Sequence, residues 1–249
     1  MKKILVIADK IGMDQFAFHK AQELARLSAA KVHVLIACYE TLTMFNQDEE
    51  HDGLSEIKNR ILLGREEGWR DFLSHHPPTV EVSCEAVWCK YVHHWVVEHC
   101  KHQQYDMIVK TGHRSEKWFH TPSDWQLFRD APAPIYSVNS LPRKTEKNVL
   151  VALDLNTHNE TRMSLNRQIL EAGFRLAVHT DAALHCCFAI NVPSFVRELD
   201  LIDIPAHIHQ VEQRAKEGCQ PLLDEYDIEA QCLHIKQGKP WHVINDFAC

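Results

Sequence analysis

The stretch KILVIAD (residues 3–9) decides the fold of this chain. It is a short run of apolar, largely β-branched residues that ends at Asp9, as is typical of a strand buried on both faces of a sheet. A second run of the same form, NVLVALD, ends at Asp154. Because a domain's length of chain separates the two runs, the sequence predicts that one folding unit occurs twice.

Apolar runs alternate with helical periodicity through the first repeat, which we place at residues 1–140. Five strands are predicted, at residues 3–8, 31–39, 80–87, 105–111 and 134–139. Four helices are predicted between them, at residues 14–27, 54–73, 91–100 and 124–129. Such alternation implies parallel strands joined by right-handed crossovers. We therefore predict an α/β fold with a parallel five-stranded, doubly wound sheet of the Rossmann-like kind.

The second repeat begins after a polar linker at residues 141–147 and is placed at residues 148–249. Its predicted elements are strands at 148–153, 183–191 and 229–236, helices at 160–178 and 205–225, and a last helix that opens at residue 238. The segments that would match the last two strands of the first repeat are missing from this stretch. We therefore expect an incomplete second domain, whose first strand has an apolar edge that needs a cover.

Composition excludes several classes of protein. Lys and Arg total 27 against 34 Asp and Glu, and the net charge of −7 argues against a nucleic-acid partner. No apolar run approaches the roughly 18–20 residues of a membrane helix, and no signal peptide precedes the first strand, so we predict a cytoplasmic protein without a membrane partner. Nine scattered cysteines do not form a disulfide framework, and we expect reduced thiols.

The segment TPSDWQLFR (residues 121–129), followed by Ala133-Pro134, resembles the corresponding segment of tandem two-domain universal stress proteins. The aspartate at the end of the first strand supports the resemblance, which extends over nearly the whole chain. This family implies a Rossmann-like sheet of five parallel strands, adenine-nucleotide binding in some members and stress-linked roles in others. It implies no shared catalysed reaction.

In the nucleotide-binding members a loop of the form Gly-x2-Gly-x9-Gly-(Ser/Thr) follows the fourth strand. This chain matches its first position with Gly112, whereas Ser115 stands at the second glycine and Thr121 begins the Thr-Pro pair that replaces Gly-Ser. Asp9 and Asp154 match the family's nucleotide-contacting aspartate, although an aspartate here also commonly caps the following turn. These five residues are the candidate remnant of a nucleotide site. No cofactor is assigned with certainty, and ATP is retained as an alternative.

The insertion between these positions carries Trp118 and Phe119, which could line an apolar pocket; core packing is the commoner role of such residues. Histidines and cysteines cluster between Cys84 and His102, but their spacing does not fit the paired ligands of a zinc site, so no metal ligand is predicted. There is no G-x-S-x-G elbow, and no catalytic residue is predicted.

We therefore predict a non-enzymatic stress-response protein that acts through a small-molecule or nucleotide ligand, a protein partner or self-association. One alternative is an ATP-binding protein with slow hydrolysis that uses the atypical loop. Another is a binder of an apolar or lipid-like ligand at Trp118 and Phe119.

Overall fold

The computed structural model describes residues 1–10, 12–42, 51–112, 123–139, 147–193, 195–196 and 203–248. The chain divides into two compact units, Met1–Pro142 and Arg143–Cys249, called here the first and the second unit. Each is described by itself.

The first unit is a five-stranded parallel sheet, which confirms the predicted fold class. Its strands are β1 Lys3–Ile7, β2 Lys31–Cys38, β3 Val82–Trp88, β4 Met107–Thr111 and β5 Ile135–Val138. Its helices are α1 Phe16–Ser28, α2 His51–His75, α3 Val92–His102 and α4 Ser123–Asp130. The strand order is β3-β2-β1-β4-β5. The chain therefore starts at the centre of the sheet, adds β2 and β3 on one side of β1, and then adds β4 and β5 on the other side.

The central position of β1 explains its sequence. Ile4, Leu5 and Val6 are fully buried because β2 and β4 flank the strand and helices cover the sheet. Their continuous apolar character is what a strand covered on both faces requires. The loop between β1 and α1, which contains Asp9, therefore lies where the order of the strands reverses.

The second unit repeats the first half of this topology. Its strands are β6 Asn148–Ala152, β7 Ala183–Ile190 and β8 Leu233–Gln237, and its helices are α5 Glu160–Thr180, α6 Ile204–Glu225 and α7 Pro240–Ala248. The strands are parallel in the order β6-β7-β8, and within the described residues β6 pairs with β7 alone. No helix among the described residues combines the length and apolar character that crossing a bilayer requires.

The predicted start of the strand at residues 229–236 is wrong. The predicted strand at residues 229–236 begins only at Leu233, because Ala230–Cys232 form a 3-10 turn closed by a bond from the Cys232 amide to the Glu229 carbonyl. The chain reaches this turn through Asp227, whose φ of 52° places it in the left-handed region. A tight turn of polar and small residues can mimic the alternation of a strand when only the sequence is read.

Replacing either of two helical glycines by alanine is expected to change stability, in opposite directions. Gly173 is buried in α5, where an added Cβ would overlap Cγ1 of Val151 on β6, whereas Gly218 in α6 has open space around it. We expect Gly173→Ala to lower the free energy of unfolding of the second unit by about 1–2 kcal/mol, because overpacking outweighs the gain in helix propensity. Gly218→Ala should raise it by about 0.5–1 kcal/mol. Urea unfolding followed by circular dichroism tests both, and a stabilising Gly173→Ala would contradict the close packing of α5 on β6.

Candidate functional site

In each unit the aspartate that ends the first strand lies at the carboxyl edge of the sheet. Open α/β sheets bind ligands at this edge, next to the point where strand order reverses. Asp9 follows β1 and Asp154 follows β6, so the duplication predicted from the sequence places the same residue type at the same edge of both sheets.

A buried amide side chain fixes the loop after the strand in both units. In the first unit, Gln15 Oε1 accepts from the Asp9 amide at 3.1 Å, and Gln15 Nε2 lies 3.2–3.3 Å from the carbonyl oxygens of Asp9, Lys10 and Met13. In the second unit, Asn166 Oδ1 accepts from the Asp154 amide at 3.0 Å, and Asn166 Nδ2 donates to the Asp154 carbonyl at 2.8 Å. We call this arrangement the amide clamp. It holds the backbone of the aspartate, and leaves its carboxylate to other contacts.

The first-unit carboxylate is held by the neighbouring strand. Thr111 Oγ1, at the end of β4, donates to Asp9 Oδ2 at 2.7 Å. Gly112 follows directly; its amide donates to the Val138 carbonyl at 2.8 Å, and a Cβ at this position would lie 2.8 Å from Ser137 Oγ. A Cβ here would require the Ser137 hydroxyl to move, so close approach to β5 favours glycine at this position. The structure brings Asp9 and Gly112 together through Thr111, which sequence reasoning missed.

The other first-unit candidates are not described. Ser115, Trp118, Phe119 and Thr121 lie outside the described residues, so their roles in a nucleotide site or an apolar pocket stay predictions.

The second-unit aspartate borders a cavity of about 550 Å³ at the carboxyl ends of β6 and β7. This volume is within the range of about 300–1,000 Å³ typical of small-molecule sites. Its polar lining is supplied by Asp154, Asn156, Arg162, Asn191 and His207. Its apolar lining includes Leu153, Phe188, Ile190, Val211 and Ile244. The cavity thus combines one cation, one carboxylate and an apolar wall.

Arg162 contacts the carboxylate that the first unit satisfies with a threonine. Its Nη1 lies 3.2 Å from Asp154 Oδ2, and both side chains are well exposed, at 68% and 45%. An exposed pair of this kind contributes little to stability, so an incoming anion can take the guanidinium at small cost. Arg162 stands in the first turn of α5, and its amide donates to the N-cap Asn159 at 3.2 Å. The Asn159-Glu160 helix start was the signal in the sequence that could have located it.

The adjacent cysteines of β7 face opposite sides of the sheet, as the strand geometry predicts. Cys186 packs in the core with Cys219, whereas Cys187 lines the cavity. Burial raises the pKa of Cys186 to about 12 and also raises the pKa of Cys187. Both thiols are therefore protonated near neutral pH, and Cys187 supplies no thiolate to the cavity.

Several known proteins are similar to this chain in sequence and fold. No family model matches the chain. A universal stress protein E homolog of Haemophilus influenzae is 23% identical over 265 residues, covering 99% of this chain and 84% of the relative. Universal stress protein E of Salmonella typhi is 22% identical, covering 99% of this chain and 81% of the relative. The chain is thus similar over nearly its whole length to universal stress proteins of the E type.

A solved structure agrees on the fold. A functionally unknown protein from Pseudomonas aeruginosa PAO1 superimposes with a TM-score of 0.67 at 22% identity, over 99% of this chain and 77% of that one. The family resemblance that the segment at residues 121–129 indicated is therefore confirmed, as is the fold class. The chain spans about four fifths of the length of these relatives.

Proposed function

We propose that this chain is a universal stress protein that acts in the stress response by binding a small anionic ligand in the cavity of the second unit, and that it does so without catalysing a reaction. The observation that carries the proposal is the exposed guanidinium of Arg162, which stands beside Asp154 at the mouth of a cavity of about 550 Å³. The role in the stress response is proposed from the similarity to universal stress proteins, and the ligand site is proposed from the geometry of the cavity.

The lining indicates the class of ligand. A guanidinium binds phosphate or carboxylate oxygens through paired donors, and the Asp154 carboxylate accepts from hydroxyl or amino groups. Phe188, Ile190 and Ile244 offer apolar surface to a flat ring. A nucleoside phosphate carries all three kinds of group, so adenine nucleotides are the first class to test.

The same lining supports binding rather than catalysis. The Cys187 thiol is protonated, and among the described residues around the cavity no hydrogen bond joins a nucleophile to a base. Arg162 engages the Asp154 carboxylate, so binding and orienting a ligand are the roles that these contacts support.

Isothermal titration calorimetry of the full chain with AMP, ADP and ATP tests the proposal. We expect binding of at least one of them, weakened about 10- to 100-fold by Arg162→Ala, because a charge-assisted contact contributes about 1.5–3 kcal/mol. Arg167→Ala is the matched control, since Arg167 is also exposed on α5 but does not line the cavity.

Three results would contradict the proposal. The first is no heat of binding with any of the three nucleotides at millimolar concentration. The second is equal weakening by Arg162→Ala and Arg167→Ala, which would place the ligand elsewhere. The third is steady phosphate release from ATP that Arg162→Ala abolishes, which would make the cavity catalytic.

A further inference from the structure

We infer that His33, Glu85 and His99 form a binding site for a divalent transition-metal ion, with Zn²⁺ as the best match, in the first unit. One ligand atom from each of the three side chains lies within 4.8 Å of the other two. The site is independent of the proposed ligand cavity, which belongs to the second unit.

Strand register brings the first two ligands together. His33 pairs with Ser83 across β2 and β3, and Leu35 pairs with Glu85. Side chains two residues apart on a strand point to the same face, so His33 and Glu85 are diagonal neighbours on one face of the sheet. The His33 Nε2 atom lies 3.6 Å from Glu85 Oε2.

The third ligand comes from α3, which packs on that face. The ring of His99 stacks on the ring of His33, with centroids 6.0 Å apart and planes 9° from parallel. Trp95, one helical turn earlier, also stacks on His99, with its ring centroid 4.3 Å from that of His99. The position of His99 is therefore fixed by aromatic packing before any metal binds.

Hydrogen bonds outside the cluster orient both imidazoles. His33 Nδ1 lies 2.8 Å from Ser83 Oγ, and His99 Nε2 lies 3.0 Å from the hydroxyl of Tyr105. Such outer partners are the usual companions of metal-binding histidines, because they fix the tautomer and the ring. With Nδ1–H donated to Ser83, His33 presents the lone pair of Nε2 to the cluster.

That nitrogen is the strongest single observation for the site. The Nε2 atom of His33 is buried and has no hydrogen-bond partner among the described residues. A buried polar atom without a partner costs about 1–3 kcal/mol, and coordination of a metal would satisfy it. The Glu85 carboxylate does not satisfy it, because Glu85 Oε2 lies 3.6 Å away, beyond hydrogen-bond distance.

Electrostatics at the site act in both directions. Lys3 opposes a cation, since its ammonium group lies 4.5 Å from the centre of the Tyr105 ring. The Glu85 carboxylate offsets that charge, and Lys3 Nζ donates to Gln103 Oε1.

Ligand type and spacing favour zinc. Two imidazoles and one carboxylate form a common three-ligand zinc set, which leaves the fourth position to water or another small ligand. With bonds of about 2.0–2.2 Å, tetrahedral ligand atoms stand roughly 3.3–3.5 Å apart. The 3.6 Å separation of His33 from Glu85 is close to this value. The half-exposed Glu85 side chain can rotate to bring its oxygen to the distance that a tetrahedral site requires.

In the second unit, two histidines occupy the strand positions that correspond to His33 and Glu85, but no third ligand is found beside them among the described residues. His185 is also the third residue of its strand, and His234 pairs with Cys187 just as Glu85 pairs with Leu35. There His185 Nδ1 and His234 Nε2 lie 3.1 Å apart and satisfy each other, and Phe247 stacks on His234 at 4.7 Å. This pair is a natural control for the site in the first unit.

Titration of the full chain with Zn²⁺, and with Co²⁺ followed by its visible absorption, tests the inference. We expect one tight site whose four-coordinate Co²⁺ spectrum is lost in His99→Ala, with Zn²⁺ affinity reduced more than about 100-fold. Ser83→Ala should reduce affinity about tenfold, in the range of an outer contact. His185→Ala should leave the tight site unchanged.

Glu85→Gln distinguishes loss of a ligand from misfolding, because this side chain is 47% exposed and glutamine has nearly the same shape. Circular dichroism should be unchanged in this variant while Zn²⁺ affinity falls more than about tenfold. No tight site in the unsubstituted chain would overturn the inference. A tight site that survives both His99→Ala and Glu85→Gln, or that His185→Ala removes, would also overturn it.

Discussion

Trp69→Ala is expected to lower the free energy of unfolding of the first unit by about 3–5 kcal/mol, as for other buried tryptophans. Trp69 is 1% exposed in α2 and is the largest fully buried side chain among the described residues. Its ring meets Phe18 of α1 edge-on at 5.4 Å and Phe72 at 5.1 Å. Alanine would leave a cavity between α1 and α2 and remove both aromatic contacts.

Trp69→Phe separates packing from hydrogen bonding at the same position. The indole Nε1 of Trp69 is buried and has no hydrogen-bond partner in the described part of the chain. Phenylalanine keeps most of the apolar contact and removes a donor that costs free energy, so we expect a loss of less than about 1.5 kcal/mol.

Urea unfolding followed by circular dichroism, with hydrogen exchange of the first-unit amides, measures both variants. Trp125→Ala is the control, because Trp125 is 69% exposed in α4, and its effect should stay within about 0.5 kcal/mol. Equal losses for Trp69→Phe and Trp69→Ala would contradict the packing account, since they would show that the indole itself makes an essential contact.

The fold could be predicted because its strongest signals are local. The apolar runs that become β1 and β6 can bury both faces only as inner strands, and the helical spacing between them leaves parallel crossovers as the connection. Helix α2 shows the limit of this reasoning. Its periodicity predicted residues 54–73, but the helix runs over His51–His75, because spacing of apolar residues does not mark where a polar end stops.

The candidate sites could be predicted only in part. Asp9 and Asp154 stand at strand ends that the sequence itself reveals. Arg162 reaches Asp154 from the first turn of the next helix, and that contact depends on how the helix begins. The cluster of His33, Glu85 and His99 was not predicted, because its members come from β2, β3 and α3, and no spacing rule joins residues so far apart in sequence. Strand register creates it, and register is set by tertiary packing.

The amide clamp gives the second large expected effect. Gln15→Ala should lower the free energy of unfolding of the first unit by about 2–4 kcal/mol, because Gln15 is 3% exposed and its amide serves four backbone groups between Asp9 and Met13. Hydrogen exchange of the amides at residues 8–15 should accelerate more than exchange in β1.

Charge rather than volume decides the outcome at this position. Gln15→Glu has nearly the same shape, but its carboxylate cannot donate to the three carbonyl oxygens, so we expect a loss at pH 7 at least as large as that of alanine. In the second unit, Asn166→Asp removes the single donated bond to the Asp154 carbonyl and should cost less, about 1–3 kcal/mol. If Gln15→Glu were tolerated while Gln15→Ala was not, the side chain would merely fill space, and the loop that presents the strand-end aspartate would be held by something else.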